Sequence, residues 1–157
     1  MTAAVVAHGK FVVPNPSRRV SAPSHSPSMG QNAWQGLEGI HVLVIDADAD
    51  VRAIVRAVLE PLGVLVTTTT AAGASEAALV ADVILCDLEL VEPAGPGFLA
   101  ALRMKHHRRG RPAPALAFVT AEPLTDARVR AAGFQGYVTR PIRVDELRTA
   151  VWQSTVR

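Results

Sequence analysis

Apolar and polar positions follow two different periods along the chain from about Leu37 onward. Short apolar runs rich in Val, Leu and Ile predict strands, because they are too short to form the buried face of a helix. Between these runs, apolar residues recur at intervals of three and four, which is typical of amphipathic helices. The predicted strands are His41–Asp46, Val64–Thr69, Asp82–Cys86, Ala115–Thr120 and Gly136–Thr139.

Each predicted strand is followed by a predicted helix. Asp48 or Asp50 is expected to cap the first helix and Gly63 to end it. Five strand–helix units of this kind indicate an α/β fold, a doubly wound parallel sheet with helices on both faces. The remaining helices are predicted at Ala72–Val80, Gly97–Arg108, Thr125–Ala132 and Val144–Val156. The helix positions predicted to face the core are Val51, Ile54, Val55, Val58, Leu59, Leu62, Phe98, Leu99, Leu102, Val144, Leu147 and Val151.

Residues 1–36 have a different composition, in which prolines alternate with serines. Such a segment buries too little apolar surface to offset its conformational entropy, so we predict a flexible N-terminal tail before a domain at residues 37–157. The apolar run Phe11–Val13 is an exception that could pack on the domain or on a partner. A chain that begins near Gln35 is expected to melt within a few degrees of the full chain.

Composition narrows the class of protein. The net charge of +2 is too small for a nucleic-acid footprint, and the chain has no apolar run that could span a membrane. The basic run Arg103–Arg111 is either a solvated helix end or a docking patch for an acidic partner.

Cys86 is the only cysteine, so we expect a buried, inert thiol and a reducing, cytoplasmic setting.

Polar groups occupy the carboxyl ends of four predicted strands. Asp46 closes the first strand, Asp87 the third and Thr120 the fourth, and Arg140 follows the fifth. In doubly wound folds the working groups gather at this edge of the sheet. Clustered carboxylates are normally held by Mg²⁺, and a hydroxyl and a cation beside them suit a phosphoryl group on one carboxylate.

Four segments in this order resemble the response-regulator receiver family of two-component signalling. They are Val42–Asp46, Val83–Asp87, Phe118–Ala121 and Ala132–Pro141. The resemblance covers roughly residues 38–157 and implies a flavodoxin-like, five-stranded parallel sheet of order 2-1-3-4-5. It implies a signalling module rather than an enzyme, with a histidine kinase or phosphotransfer protein as donor and a downstream protein as target.

The resemblance also implies roles for individual residues. Asp87 would be the phosphoacceptor, and Asp46 would belong to the acidic pair that holds Mg²⁺. Thr120 would be the switch hydroxyl that contacts the phosphoryl group, and Tyr137 the aromatic switch residue. Arg140 and the proline after it stand where the family has lysine and proline, usually joined by a cis bond.

Three departures from the family concern the chemistry. Ala47 stands where the family has a second acid, so either Asp48 or Glu89 would have to supply the missing Mg²⁺ ligand, and Mg²⁺ binding is expected to be weak. Arg140 keeps the charge of the usual lysine but is bulkier and planar. Residues 88–96 are expected to form a turn about two residues longer than usual.

The sequence is therefore compatible with two functions. The first is a stand-alone receiver in a phosphorelay that accepts a phosphoryl group on Asp87. The alternative is an interaction module of the same fold that works without phosphorylation. A dinucleotide site at Gly95–Ala100 is a weaker reading, because the glycines do not follow the strand directly.

No output domain follows the last predicted helix, so we expect signalling through protein contacts, with a homodimer left open. By resemblance to the family, the contact surface combines the helix at Thr125–Ala132, the last strand and the last helix. Its expected residues are Arg128, Arg130, Tyr137 and Arg148.

Overall fold

Five strands form the framework of the domain in the computed structural model, which describes residues 34–105, 113–120 and 126–156, except the side chains of Pro96 and Thr120. They are β1 (His41–Ile45), β2 (Leu65–Thr69), β3 (Val83–Asp87), β4 (Ala115–Thr120) and β5 (Gly136–Arg140). All neighbouring strands pair in parallel, in the order β2-β1-β3-β4-β5. The predicted fold class and strand order are thus confirmed.

Helices cover both faces of this sheet. Those of the described residues are α1 (Ala49–Leu59), α2 (Ala74–Ala77), α3 (Leu88–Val91), α4 (Pro96–Met104), α5 (Asp126–Ala131) and α6 (Val144–Thr155). The apolar side chains of α1 and α6 share one buried cluster, and those of α2 to α5 share the other. The sheet is therefore the middle layer of three, as a doubly wound fold requires.

The interior strand β1 explains why both clusters form. Val42 and Val44 belong to the cluster under α1 and α6, whereas Leu43 and Ile45 belong to the opposite one. All four side chains are fully buried, at 0% exposure. Successive side chains of a strand point to opposite faces, so a continuous apolar run serves both layers at once.

The first helix begins and ends at the predicted signals. Asp48 is its cap, because the carboxylate accepts a hydrogen bond of 2.8 Å from the amide of Asp50. A short 3₁₀ turn extends the helix to Leu62, and Gly63 ends it in the left-handed region at φ 78°. One core prediction is wrong here: Ile54 is 44% exposed, because it lies at the margin of the buried stripe.

The last helix also departs from its predicted core face. Val144 is 44% exposed, whereas Leu147 and Val151 are fully buried. Val144 is the first residue of α6, so it precedes the turn at which the helix packs onto the sheet. Phe98 of α4 is only partly buried and packs against the cluster of α2 to α5.

Two predicted segments have a different local structure. The helix expected at Ala72–Val80 consists of α2 between two 3₁₀ turns, since small alanine side chains bury little surface to hold a longer helix. The turn expected at residues 88–96 is mostly helical, with α3 followed by a 3₁₀ turn at Glu92–Ala94. Leu88 and Val91 anchor α3 in the core.

Trp34 lies before the predicted start of the domain at residue 37. Trp34, at the end of the predicted tail, is partly buried against the cluster of α1 and α6. Residues 1–33, including Phe11–Val13, lie outside the described residues, as do residues 106–112 of the basic run and its neighbours. None of the helices in the described ranges is both long and apolar enough to cross a membrane.

Candidate functional site

Three predicted site residues meet at the carboxyl edge of the sheet. Asp46 directly follows β1, Asp87 is the last residue of β3, and Arg140 is the last residue of β5. The central position of β1 and β3 in the sheet brings the two aspartates together, and the guanidinium of Arg140 reaches both. Asp46 and Arg140 are 94 residues apart in the sequence.

Asp46 is the buried member of this group, with only 1% of its surface exposed. One carboxylate oxygen, Oδ1, accepts a hydrogen bond of 2.8 Å from the amide of Asp48, and Oδ2 accepts one from Nη2 of Arg140. Burial raises the pKa of this carboxyl, although the amide of Asp48 and the charge of Arg140 both oppose the rise. The backbone carbonyl of Asp46 also accepts a hydrogen bond of 2.5 Å from Nη1 of Arg52.

Asp87 is the accessible member of the pair. Its side chain is 16% exposed, against 1% for that of Asp46. Oδ1 accepts a hydrogen bond of 3.0 Å from the amide of Glu89, so the carboxylate also caps α3. Oδ2 lies 3.6 Å from Nη2 of Arg140. A reagent in solution can therefore reach Asp87 more readily than Asp46.

Arg140 is held from three sides. It pairs with both carboxylates, and its guanidinium carbon lies 5.7 Å from the centre of the Phe118 ring. Its Nε is buried and has no hydrogen-bond partner among the residues that the structure describes. The bond from Arg140 to Pro141 is cis, as the resemblance implied. The ring of Phe118 was not predicted as part of the site, since it belongs to an ordinary apolar strand.

Cys86 directly precedes Asp87 in β3 and is fully buried. Burial and the negative charges of Asp87 and Asp46 raise the pKa of its thiol to about 12. The thiol is therefore protonated and unreactive at neutral pH, which agrees with the expectation for this residue.

The groups expected to hold Mg²⁺ do not form a metal site. Ala47 offers no side-chain oxygen, and the carboxylate of Asp48 is used to cap α1. Glu89 is exposed, and its charge acts on Arg128 of α5. In the described ranges no three His, Cys, Asp or Glu side chains are grouped to hold a metal ion. The residues present therefore do not fit the family's metal ion.

The structure describes the side chain of only one of the two predicted switch residues. The backbone of Thr120 pairs with that of Arg140, whereas its side chain lies outside what the structure describes. Tyr137 is buried, at 4% exposure, in the cluster of α2 to α5. Burial, followed by the negative charges of Asp126 and Glu146, raises the pKa of its hydroxyl.

The expected contact surface is only partly assembled. Arg130 and Tyr137 line one shallow depression with Asp126, between α5 and β5. Arg148 lines a different depression, beside Trp34 and Glu38. Arg148 therefore does not belong with the others, because its position on α6 faces the start of the domain.

An ion pair that the sequence did not reveal links α5 to the segment after Asp87. Arg128 donates two hydrogen bonds to the carboxylate of Glu92, from Nε at 3.0 Å and from Nη2 at 2.5 Å. Thirty-six positions separate the two residues, and local sequence patterns do not predict a contact over that separation.

Comparisons with known proteins identify the family. A model of the response regulator receiver domain matches residues 42–152, and the chain belongs to this family. This family belongs to two-component signalling. No curated protein matches the chain.

Several solved structures share the fold. NtrX from Brucella abortus, solved with ADP, is 19% identical to this chain, with a TM-score of 0.61. The match covers 73% of this chain and 26% of NtrX, so this chain spans about a quarter of that protein. The chemotaxis response regulator CheY4 of Vibrio cholerae is 24% identical with a TM-score of 0.58, and the match covers 73% and 98% of the two chains. The receiver domain of Saccharomyces cerevisiae Ssk1, solved with the phosphotransfer protein Ypd1, is 17% identical with a TM-score of 0.60 and coverages of 76% and 90%.

Proposed function

We propose that this receiver accepts a phosphoryl group on Asp87 and passes the signal on through protein contacts. The observation that carries the proposal is the asymmetry of the carboxylate pair. Asp46 is buried and has both oxygens hydrogen-bonded, whereas Asp87 is partly exposed and has one oxygen beside a cation. Asp87 is thus the carboxylate that can react, and Asp46 the one that holds the cation in place.

The proposed step is a transfer from phosphohistidine. The Asp87 carboxylate forms an O–P bond while the N–P bond of the donor breaks, and the imidazole nitrogen keeps the electron pair of that bond. Such transfers are helped mainly by positioning and by charge stabilisation. The guanidinium of Arg140, 3.6 Å from Oδ2 of Asp87, is placed to stabilise the negative charge of the phosphoryl oxygens.

A histidine kinase or phosphotransfer protein is the proposed donor. The structure of the Ssk1 receiver with Ypd1 supports this class of partner. The proposed output surface is the depression between α5 and β5 that contains Arg130 and Tyr137. A tyrosine and an arginine line it, and aromatic residues and arginine are both enriched in protein interfaces.

Labelling with acetyl phosphate tests the proposed function. Intact-mass analysis should show one added phosphoryl group on the wild type and none on Asp87→Asn. Asp145→Asn is the matched control, because Asp145 is an exposed acid of α6 that is not among the charges acting on Asp46, and it should label like the wild type. Hydrogen exchange on the labelled protein should change in α5 and β5 and stay unchanged in Asp87→Asn.

A wild type that no phosphodonor labels would contradict this function and favour the phosphorylation-independent module. Labelling at a residue other than Asp87 would also contradict it. Exchange that changes only around Arg103, at the start of the basic run, would leave the phosphoacceptor role intact and move the output surface to that run.

A further inference from the structure

We infer that the guanidinium of Arg140 replaces the divalent cation of this receiver, so that the acidic pocket is complete without a metal ion. The inference rests in part on the proposed function, because it concerns the same pocket. Its basis is separate, however: the contacts of Arg140 and the missing third carboxylate.

The first step concerns charge. Two carboxylates held next to each other in a partly buried pocket repel and need a neighbouring cation. Nη2 of Arg140 hydrogen-bonds Oδ2 of Asp46 and lies 3.6 Å from Oδ2 of Asp87. A single guanidinium therefore reaches both carboxylates, which is the place a shared metal ion would take.

The second step concerns the oxygens that a metal ion would need. Mg²⁺ requires near-octahedral oxygen ligands and is usually bound through one or two carboxylates together with several waters. Both oxygens of Asp46 and one oxygen of Asp87 already accept hydrogen bonds from Asp48, Arg140 and Glu89. A metal ion would have to displace Arg140 from a carboxylate that is 99% buried, since Asp46 is 1% exposed.

The third step concerns how firmly Arg140 is held. Its guanidinium lies over the Phe118 ring, and its side chain is only 23% exposed. A planar guanidinium can stack on a ring and donate hydrogen bonds along its edge at the same time. The arginine at this position therefore keeps its cation fixed between the aspartates.

Thermal unfolding with and without Mg²⁺ tests this inference on the wild-type chain. The melting temperature should be the same in MgCl₂ and in NaCl of equal ionic strength. Acetyl phosphate should label the protein to the same extent in Mg²⁺ and in EDTA. A saturable rise of the melting temperature with Mg²⁺, or labelling that EDTA abolishes, would overturn the inference.

Variants separate the role of Arg140 from that of any surface arginine. Arg140→Gln should lower the melting temperature by roughly 5–10 °C, because it leaves a buried carboxylate without its cation. Arg56→Gln is the control, since it removes an exposed ion pair with Glu60 at 2.8 Å and should change little. Arg140→Lys, which keeps the charge but not the planar guanidinium, should recover only part of the stability.

The double variant Ala47→Asp/Arg140→Gln should acquire a Mg²⁺-dependent rise in melting temperature that the wild type lacks. If Arg140→Gln is as stable as Arg56→Gln, Arg140 does not hold the pocket and the inference fails. If the wild type is indifferent to Mg²⁺ but is never labelled, the proposed function fails and the inference stands. If labelling requires Mg²⁺, the proposed function stands and the inference fails.

Discussion

At the scale of single residues, an aromatic ring contacts the cation of the pocket. Phe118 is fully buried in the cluster of α1 and α6, and the guanidinium of Arg140 lies 5.7 Å from its centre. The ring therefore has two functions, since it fills the core and supports the cation between the two aspartates. An aliphatic side chain could do only the first.

Phe118→Leu should consequently cost more stability than an ordinary core substitution. Phe134→Leu is the matched control, because Phe134 is also nearly fully buried, at 2% exposure, and has no recorded cation contact in the described residues. We expect the free energy of unfolding to fall by about 1 kcal/mol more for Phe118→Leu than for Phe134→Leu. Urea unfolding measures both. Equal losses would mean that the ring does not support Arg140.

The presence of two aspartates does not by itself make a Mg²⁺ site. The resemblance places acids of the family at Asp46 and Asp87, yet Ala47 offers no side-chain oxygen and Arg140 hydrogen-bonds an oxygen of Asp46. Sequence reasoning predicted weak Mg²⁺ binding from Ala47 alone. The orientation of Arg140, which decides the matter, required the structure.

At the scale of elements, the segment after Asp87 is joined to α5. Glu92 lies in the 3₁₀ turn that follows α3, and its carboxylate accepts two hydrogen bonds from Arg128 of α5. The capping bond of Asp87 to α3 is at one end of this connection and the proposed output surface at the other. We therefore expect a change at Asp87 to reach α5 through α3.

Glu92→Gln should lower the melting temperature slightly at pH 7, because the amide loses the ion pair with Arg128. The side-chain hydrogen bond from Arg128 lowers the pKa of the Glu92 carboxyl. A lowered pKa stabilises the fold above the ordinary glutamate pKa, and this contribution is lost as the pH falls through the lowered value. The difference between wild type and Glu92→Gln should therefore disappear on acidification.

Thermal unfolding from pH 7 down to the acid range checks this expectation. Glu60→Gln is the control, because Glu60 pairs with Arg56 four positions away and joins no two layers of the fold. Hydrogen exchange in α5 after acetyl phosphate treatment should respond to Glu92→Gln and not to Glu60→Gln. A response that is equal in both variants would rule out the connection.

At the scale of the whole molecule, a residue that composition assigned to the tail packs on the domain. Trp34 precedes the predicted domain start at residue 37, yet its ring packs against the cluster of α1 and α6. The backbone carbonyl of Trp34 accepts a hydrogen bond of 3.2 Å from the amide of Leu37, which is fully buried.

Trp34→Ala should therefore destabilise the domain, by about 1–2 kcal/mol, since a partly buried ring contributes less than a fully buried one. Trp34→Phe, which keeps a ring, should recover most of this loss. Chemical unfolding followed by the fluorescence of Trp152 gives the measurement, because the chain has only 2 tryptophans. An unchanged unfolding midpoint in Trp34→Ala would mean that the Trp34 ring does not stabilise the domain.

Local patterns predicted most of the fold. The apolar runs of β1 and β3, the cap at Asp48 and the stop at Gly63 are short-range signals, and each was found where the sequence placed it. The helix α3 was missed, although Asp87 as cap and the spacing of Leu88 and Val91 were visible in the sequence. An expected turn and a single-turn helix have similar composition, so the pattern did not decide between them.

The sequence by itself determined the strand order by resemblance and the placement of Asp46, Asp87 and Arg140 at one edge of the sheet. It could do so because strand ends follow from local periodicity, and parallel strands bring their carboxyl ends together. Only the tertiary structure decided what the long side chains do. Arg140 and Arg128 reach partners that are 94 and 36 residues away. A flexible side chain with several rotatable bonds is fixed by its three-dimensional surroundings, and nothing in its sequence neighbourhood records them.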